Sequence, residues 1–305
     1  MFRHTVLRIA AAGSLAFVTS GRTDYGVAAR RPGNYVEQIA VEGRMREYRI
    51  HIPVRYTNAR ALPLVFVFHG SSASASVIER ETSLDVRADS LGFIVVYPEG
   101  IRRAWNIGEC CNYSYTHHVS EVAFVVAMLE RLTTVLAIDT TRVYTTGYSD
   151  GATLSYELVC TLPHRFAAVA GISGTLFKPQ PACPLPSPVP VMIVHGTGDG
   201  RIPYNGQAGG PPERDGAHFT YGAADVTAFW VAKNRCVTSP VTAQYGNVIR
   251  KGYSCGDGAE VVFYTILGGS HGWPGGGRGW VFSPRPPKDM TASDSVMKFF
   301  LQWHL

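Results

Sequence analysis

Six short, nearly continuous apolar runs set the architecture: LPLVFVFHG at 62–70, FIVVYPEG at 93–100, RVYTTGYS at 142–149, FAAVAGISG at 166–174, VPVMIVHGTGD at 189–199 and EVVFYTILGGSH at 260–271. A strand with one wet face alternates apolar and polar residues, whereas a strand apolar throughout is covered on both sides. Helical periodicity fills the intervals. Val122, Val125, Val126, Leu129 and Leu132 fall on one helix face, and segments beginning near Ser76, Ala152, Ala223 and Ser293 repeat the pattern. Strand and helix in alternation predict an α/β fold, a mostly parallel central sheet with helices on both faces. Ligands of such sheets sit beyond the carboxyl ends of the strands. Tyr35 to Pro53 reads differently, alternating apolar and polar residues around Glu42-Gly43, which predicts an antiparallel N-terminal hairpin at a sheet edge.

With 46% hydrophobic and 17% charged residues in 305, the chain has material for a large core, and one folded domain over 34–305 is expected. Residues 1–33 carry a basic start, MFRHTVLR, an apolar stretch, IAAAGSLAFV, and a polar run leading to RRPGN; this is the layout of an export signal followed by a linker. The apolar stretch falls short of the roughly 20 residues needed to span a bilayer, and no later segment is long and uncharged enough, so a secreted protein with no membrane partner is expected. Six cysteines, at 110, 111, 160, 183, 236 and 255, form no C-x-x-C pair and suit disulfides better than a metal site; Cys236 and Cys255, bracketing a turn-rich insert, are the best candidate bridge. The formal charge of +5 is spread thinly, Arg30-Arg31 and Arg102-Arg103 forming no stripe, which argues against nucleic acid.

The residues that carry chemistry begin with Gly147-Tyr148-Ser149-Asp150-Gly151, a G-x-S-x-G between a strand and a helical segment. Such an elbow exposes a serine hydroxyl at a helix N-terminus. A serine needs a base to take its proton and an acid to orient that base. Asp199 ends one apolar run and His271 follows another beside Gly268-Gly269, so Ser149, Asp199 and His271 form the predicted triad. Rivals stand in poorer places: His218 in an irregular loop, His304 at the terminal helix, Asp225 at a helix start and Asp257 within the cysteine-bracketed insert. Backbone N–H groups of Asp150 and Ser71 are the expected oxyanion donors. His69 reads as a buried structural residue. Trp105 and Trp273, in loops beside these positions, are candidate substrate-stacking residues. Two long loops, Trp105–His118 and Asn205–Gly222, are candidate pocket walls. No metal cluster, phosphate loop or cofactor motif competes with this reading.

The order of HG at 69–70, FIVVYPEG, AWNIGECC, SEVAFV, RVYTTGYSDG, FAAVAGISG, HGTGDGRIPYNG, FWVAKNRC and GGSHGWPG resembles the secreted polyhydroxybutyrate-depolymerase and feruloyl-esterase group, akin to the first carbohydrate-esterase family of the α/β-hydrolase superfamily. The resemblance covers about 35–304. It implies an α/β-hydrolase fold, a cofactor-free serine esterase, and a nucleophile, acid and base on Ser149, Asp199 and His271. Feruloyl, acetyl or other short acyl esters of plant polysaccharide lead as expected substrates, a hydroxyalkanoate polyester comes next, and a catalytically silent polymer-binding protein is the rival of another class. Three positions depart from the group: Asp150 stands where Asn is usual, Ser71 to Ser74 where a glycine-rich run is usual, and Ser120-Glu121 where an aspartate pair is usual.

Overall fold

Along β3 (Leu62–Phe68), Leu64, Phe66 and Phe68 join one apolar cluster while Val65 and Val67 join another. That division repeats along β4 (Ile94–Pro98), where Ile94 and Val96 face one cluster and Val95 and Tyr97 the other, so the strands are buried on both faces as their unbroken apolar sequences require. The computed structural model describes residues 30–107, 112–176, 182–207, 220–278 and 285–305. The expected export segment up to Ala29, together with Cys110, Cys111 and His218, lies outside the described residues.

Before β3 come β1 (Gly33–Val41) and β2 (Arg44–Ile52), the predicted hairpin, with Val41 paired to Arg44 across the turn. Helices α1 (Ala75–Thr82) and α2 (Leu84–Leu91) lead into β4; Ser83, with φ 49°, breaks what the sequence reads as one helical segment. A short α3 (Tyr113–Thr116) interrupts the first long loop, and α4 (Glu121–Val135) follows, its first turn capped by the Ser120 hydroxyl, which accepts the Ala123 N–H at 3.1 Å. Then come β5 (Ile138–Tyr148), α5 (Asp150–Thr161), β6 (Ala168–Ile172), β7 (Val191–Gly196) and α6 (Ala223–Lys233). The chain closes with β8 (Val241–Tyr245), β9 (Val248–Ser254), β10 (Glu260–Ile266) and α7 (Ala292–Phe300).

The strands form a ten-stranded sheet in the order β1-β2-β4-β3-β5-β6-β7-β10-β9-β8. Every pair from β4 to β10 is parallel, and the pairs outside them are antiparallel. Residues of α4, α5 and α6 pack on one face, and residues of α1, α2 and α7 on the other. The second antiparallel hairpin, β8 with β9, corrects the reading of 236–255 as a merely turn-rich insert. The outer strand β8 is largely exposed and β9 beside it is mostly half-buried and polar, so neither carries the apolar run that betrays the central strands.

Disulfides join Cys160 to Cys183 and Cys236 to Cys255. The second is the expected bridge, and it staples the base of this edge hairpin to the end of α6. Among the described residues no helix is long and apolar enough to cross a membrane.

Candidate active site

Ser149 follows the last residue of β5 and precedes α5, with φ 57° and ψ −123°, a backbone conformation that a side chain rarely adopts. Two glycines make the turn possible. A Cβ on Gly147 would stand 2.2 Å from the Gly151 carbonyl oxygen, and a Cβ on Gly151 2.2 Å from that of Phe68, so neither site admits a side chain. The elbow is held by the Ser149 N–H, which donates to the Ile172 carbonyl of neighbouring β6 at 2.9 Å.

Asp199 lies just beyond β7 and His271 just beyond β10, and these strands are parallel neighbours. The two turns are tied together: Thr197 N–H donates to Ile266 O at 2.9 Å, Gly198 N–H to Gly269 O at 2.9 Å, and Gly268 N–H to the Thr197 hydroxyl at 2.7 Å. Asp199 Oδ1 accepts the N–H groups of Arg201 and Ile202, each at 2.9 Å. Its Oδ2 lies 2.7 Å from His271 Nδ1, and His271 Nε2 lies 3.2 Å from the Ser149 hydroxyl. Burial opposes charge on Asp199, but hydrogen bonds from His195 and His271, the charge of His271 and the Ile202 N–H outweigh it and hold the carboxyl well below the usual range. An ionised carboxylate only accepts, so Nδ1 of His271 carries the proton and Nε2 is left to accept from Ser149. The structure thus brings together the three residues chosen from sequence, all buried.

The expected oxyanion donors, Asp150 and Ser71, are the chain neighbours of Ser149 and of Gly70. Gly70 approaches so closely that a Cβ there would be 3.1 Å from that of Ser149, so the loop that carries Ser71 comes up against the elbow. Among the described residues no backbone carbonyl takes the N–H of Ser71 or Asp150, leaving both donors open. Burial raises the Asp150 carboxyl above its ordinary range, against the opposing pull of a hydrogen bond from Ser71 and of the His271 charge.

His69 organises that loop from below and is fully buried. Its Nδ1 lies 2.8 Å from Gly70 O and its Nε2 accepts the Gly100 N–H at 3.0 Å, while the Trp105 indole N–H donates to His69 O at 2.7 Å. Burial lowers the His69 pKa to about 4, against the Gly70 bond, so the ring is neutral when it accepts from Gly100.

The structure corrects the expectation that Trp105 and Trp273 stack on substrate. Their exposures are 0% and 1%, and a ring without an open face cannot receive a ligand. Trp105 lies against the His69 ring with centroids 4.6 Å apart, and Trp273 donates its indole N–H to the Ser293 hydroxyl at 2.9 Å. The rival acids stand elsewhere: Asp225 accepts the Gly222 N–H at the start of α6, and Asp257 pairs with Arg235 at the surface. His304 lies beyond the end of α7 and is exposed. One residue escaped the sequence reading altogether. His195, inside an apolar run, lies 3.4 Å from Asp199 Oδ2; the signal available was an imidazole breaking an otherwise aliphatic strand four residues before an acid. Among the described residues no group of His, Cys, Asp and Glu side chains is arranged to hold a metal ion.

Serine, acid and histidine, met in that chain order at the carboxyl ends of parallel strands, define an α/β-hydrolase. Within that class the chain belongs to the esterase PHB depolymerase family, whose model matches residues 47–199, a stretch that holds Ser149 and ends on Asp199. It is a carboxylic ester hydrolase. A protein carrying the name esterase NocK, from Nocardia uniformis subsp. tsuyamanensis, is 28% identical over 87% of this chain and 81% of its own. Feruloyl esterase B of Piromyces equi is 29% identical over 78% of this chain, which spans only 44% of that protein. An acetyl xylan esterase from Aspergillus awamori has the same fold, with a TM-score of 0.60 at 15% identity over 87% of this chain and 98% of that one.

Proposed function

We propose that residues 34–305 form an exported catalytic domain that hydrolyses short acyl or hydroxycinnamoyl esters through an acyl-enzyme. The Ser149 oxygen attacks the ester carbonyl carbon while its proton passes to His271 Nε2. The N–H groups of Ser71 and Asp150 receive the oxyanion. As the carbonyl re-forms, the bond to the alcohol breaks and His271 returns the proton to the leaving oxygen; water then repeats the cycle and releases the acid. Asp199 orients His271 and stabilises its charged form. The single observation that carries this reading is the continuous chain of contacts from Asp199 through His271 to Ser149, at 2.7 and 3.2 Å.

Feruloyl or acetyl esters of plant polysaccharide lead as substrates because the relatives of the chain include a feruloyl esterase and a bifunctional acetylxylan esterase/xylanase. The family description supports a hydroxyalkanoate polyester as the second reading. Two disulfides favour an oxidising, extracellular setting. The test assays wild type and Ser149→Ala against p-nitrophenyl acetate, butyrate and octanoate, methyl ferulate and a hydroxybutyrate oligomer. The mutant is expected to lose at least about 10⁴-fold in kcat/KM with its fold intact, and the wild-type ranking names the substrate. Equal turnover by both proteins overturns the mechanism; no turnover by either favours a silent binding protein.

A further inference from the structure

Asp199 faces two imidazoles, and the proposed chemistry uses one. His195, the fifth residue of β7, is 1% exposed, and its Nε2 lies 2.9 Å from the Ile202 carbonyl oxygen and 3.4 Å from Asp199 Oδ2. A carbonyl only accepts, so Nε2 carries the proton and both oxygens share it. The other ring nitrogen, Nδ1, is buried with no hydrogen-bond partner among the described residues. Leaving such an atom unsatisfied costs about 1–3 kcal/mol. An aliphatic side chain at the same place on an otherwise aliphatic strand would avoid that cost, and core packing alone therefore does not account for a histidine. The ring is also fixed in place: it meets Tyr204 edge-on with centroids 5.9 Å apart, and Tyr204 is itself bonded through its hydroxyl to Thr265 at 2.9 Å.

We infer that His195 is a positioning residue for Asp199, clamping the 199–202 turn and drawing off part of the Oδ2 charge that would otherwise act wholly on His271. The inference rests on the triad reading above. With two donors, Oδ2 divides its charge between them; with His271 alone, it favours the imidazolium more strongly. Charged and titratable groups facing His271 are Asp199 from the turn after β7, Asp150 from the start of α5, and Tyr148 from the end of β5, whose ring centroid is 4.8 Å away. His195 bonds the first of these and leaves the local geometry of the others untouched.

The experiment measures kcat/KM against pH on a neutral ester, p-nitrophenyl butyrate, for wild type, His195→Phe and His195→Gln, with thermal unfolding of each. In His195→Phe the acid limb should move to higher pH by about half a unit or more. In His195→Gln, whose amide can still donate, the limb should stay near wild type. A limb unmoved in both variants, whatever their unfolding temperatures, overturns the inference and leaves a packing role. Nitrogen NMR of the unmutated protein supplies a test that does not depend on any variant folding: a proton found on His195 Nδ1 rather than Nε2 also overturns it. Absence of wild-type turnover would instead sink the triad reading, and the NMR result would still decide whether the clamp exists.

Discussion

The two halves of the site are built by different means. On the acid and histidine side, adjacent parallel strands end in turns laced to each other by backbone bonds, from Thr197 to Ile266 and from Gly198 to Gly269, with the Thr197 hydroxyl adding a third. On the oxyanion side the loop after β3 hangs from side chains: His69 holds the Gly100 N–H, Glu99 accepts the Ala75 N–H at 2.8 Å, and the Trp105 indole fastens His69 itself. Ser72, Arg102 and Arg103, whose backbones meet where Ser72 N–H donates to Arg103 O, all have positive φ. A ladder between backbones survives the loss of any one side chain, whereas a loop hung largely on side chains loses a support with each one removed. The acid–histidine geometry should therefore be robust to mutation and the oxyanion geometry fragile.

The sharpest challenge to this contrast is His69→Phe, which keeps the ring's bulk and removes both of its bonds. It should lower kcat about 100-fold, comparable to losing one oxyanion donor, with KM changed only a few-fold; steady-state kinetics on p-nitrophenyl butyrate would show this. The same substitution should flatten the acid side of the stability curve. In the fold His69 stays neutral down to about pH 4, whereas unfolded histidine takes up a proton near pH 6.5, so stability is lost as pH falls through that interval. The loss amounts to about 3 kcal/mol in wild type and should be absent from the variant, as unfolding temperatures measured from pH 7 to pH 4 would reveal.

Asp150→Asn probes the same side more gently, because an amide keeps the size and polarity of the side chain while removing a carboxyl next to Ser149. Activity should rise a few-fold where the wild-type carboxyl is ionised, and the gain should shrink as pH falls and the raised carboxyl of Asp150 takes up its proton. A fall at all pH values would mean that the carboxyl itself organises the donors. The smallest effect belongs to Thr197→Val on the laced side: less than about 3-fold in kcat and about 1 kcal/mol in stability, measured by kinetics and denaturant unfolding. A loss rivalling that of His69→Phe would break the contrast.

The same difference governs what could be read from sequence. Runs such as LPLVFVF announce a strand covered on both faces, and the Ser149 elbow, Asp199 and His271 each sit where such a run ends, so the centre of the sheet and the meeting of these three residues were legible together. Ring direction was not. Trp273 closely follows His271 and Trp105 lies in a loop after a central strand, yet each points its indole N–H at an interior acceptor, a choice made by tertiary packing. The hairpin of β8 and β9 did leave a signal, Gly246-Asn247 between two β-rich stretches, with Gly246 at φ 58°, but its strands carry no apolar run to draw attention. His195 was hidden for the opposite reason, lost among aliphatic neighbours.

That hairpin also decides where copies of the protein are prone to stick. In the described sheet β8 pairs on one side only, with β9, so a row of its backbone donors and acceptors faces water, and it carries Val241 and Tyr245 at 74% and 68% exposure. An open strand of this kind invites a second chain to extend the sheet. It stands five strands from β5, about 24 Å at ordinary strand spacing, so self-association would begin at the rim and leave each serine untouched: a concentrated preparation could cloud while every molecule in it still worked.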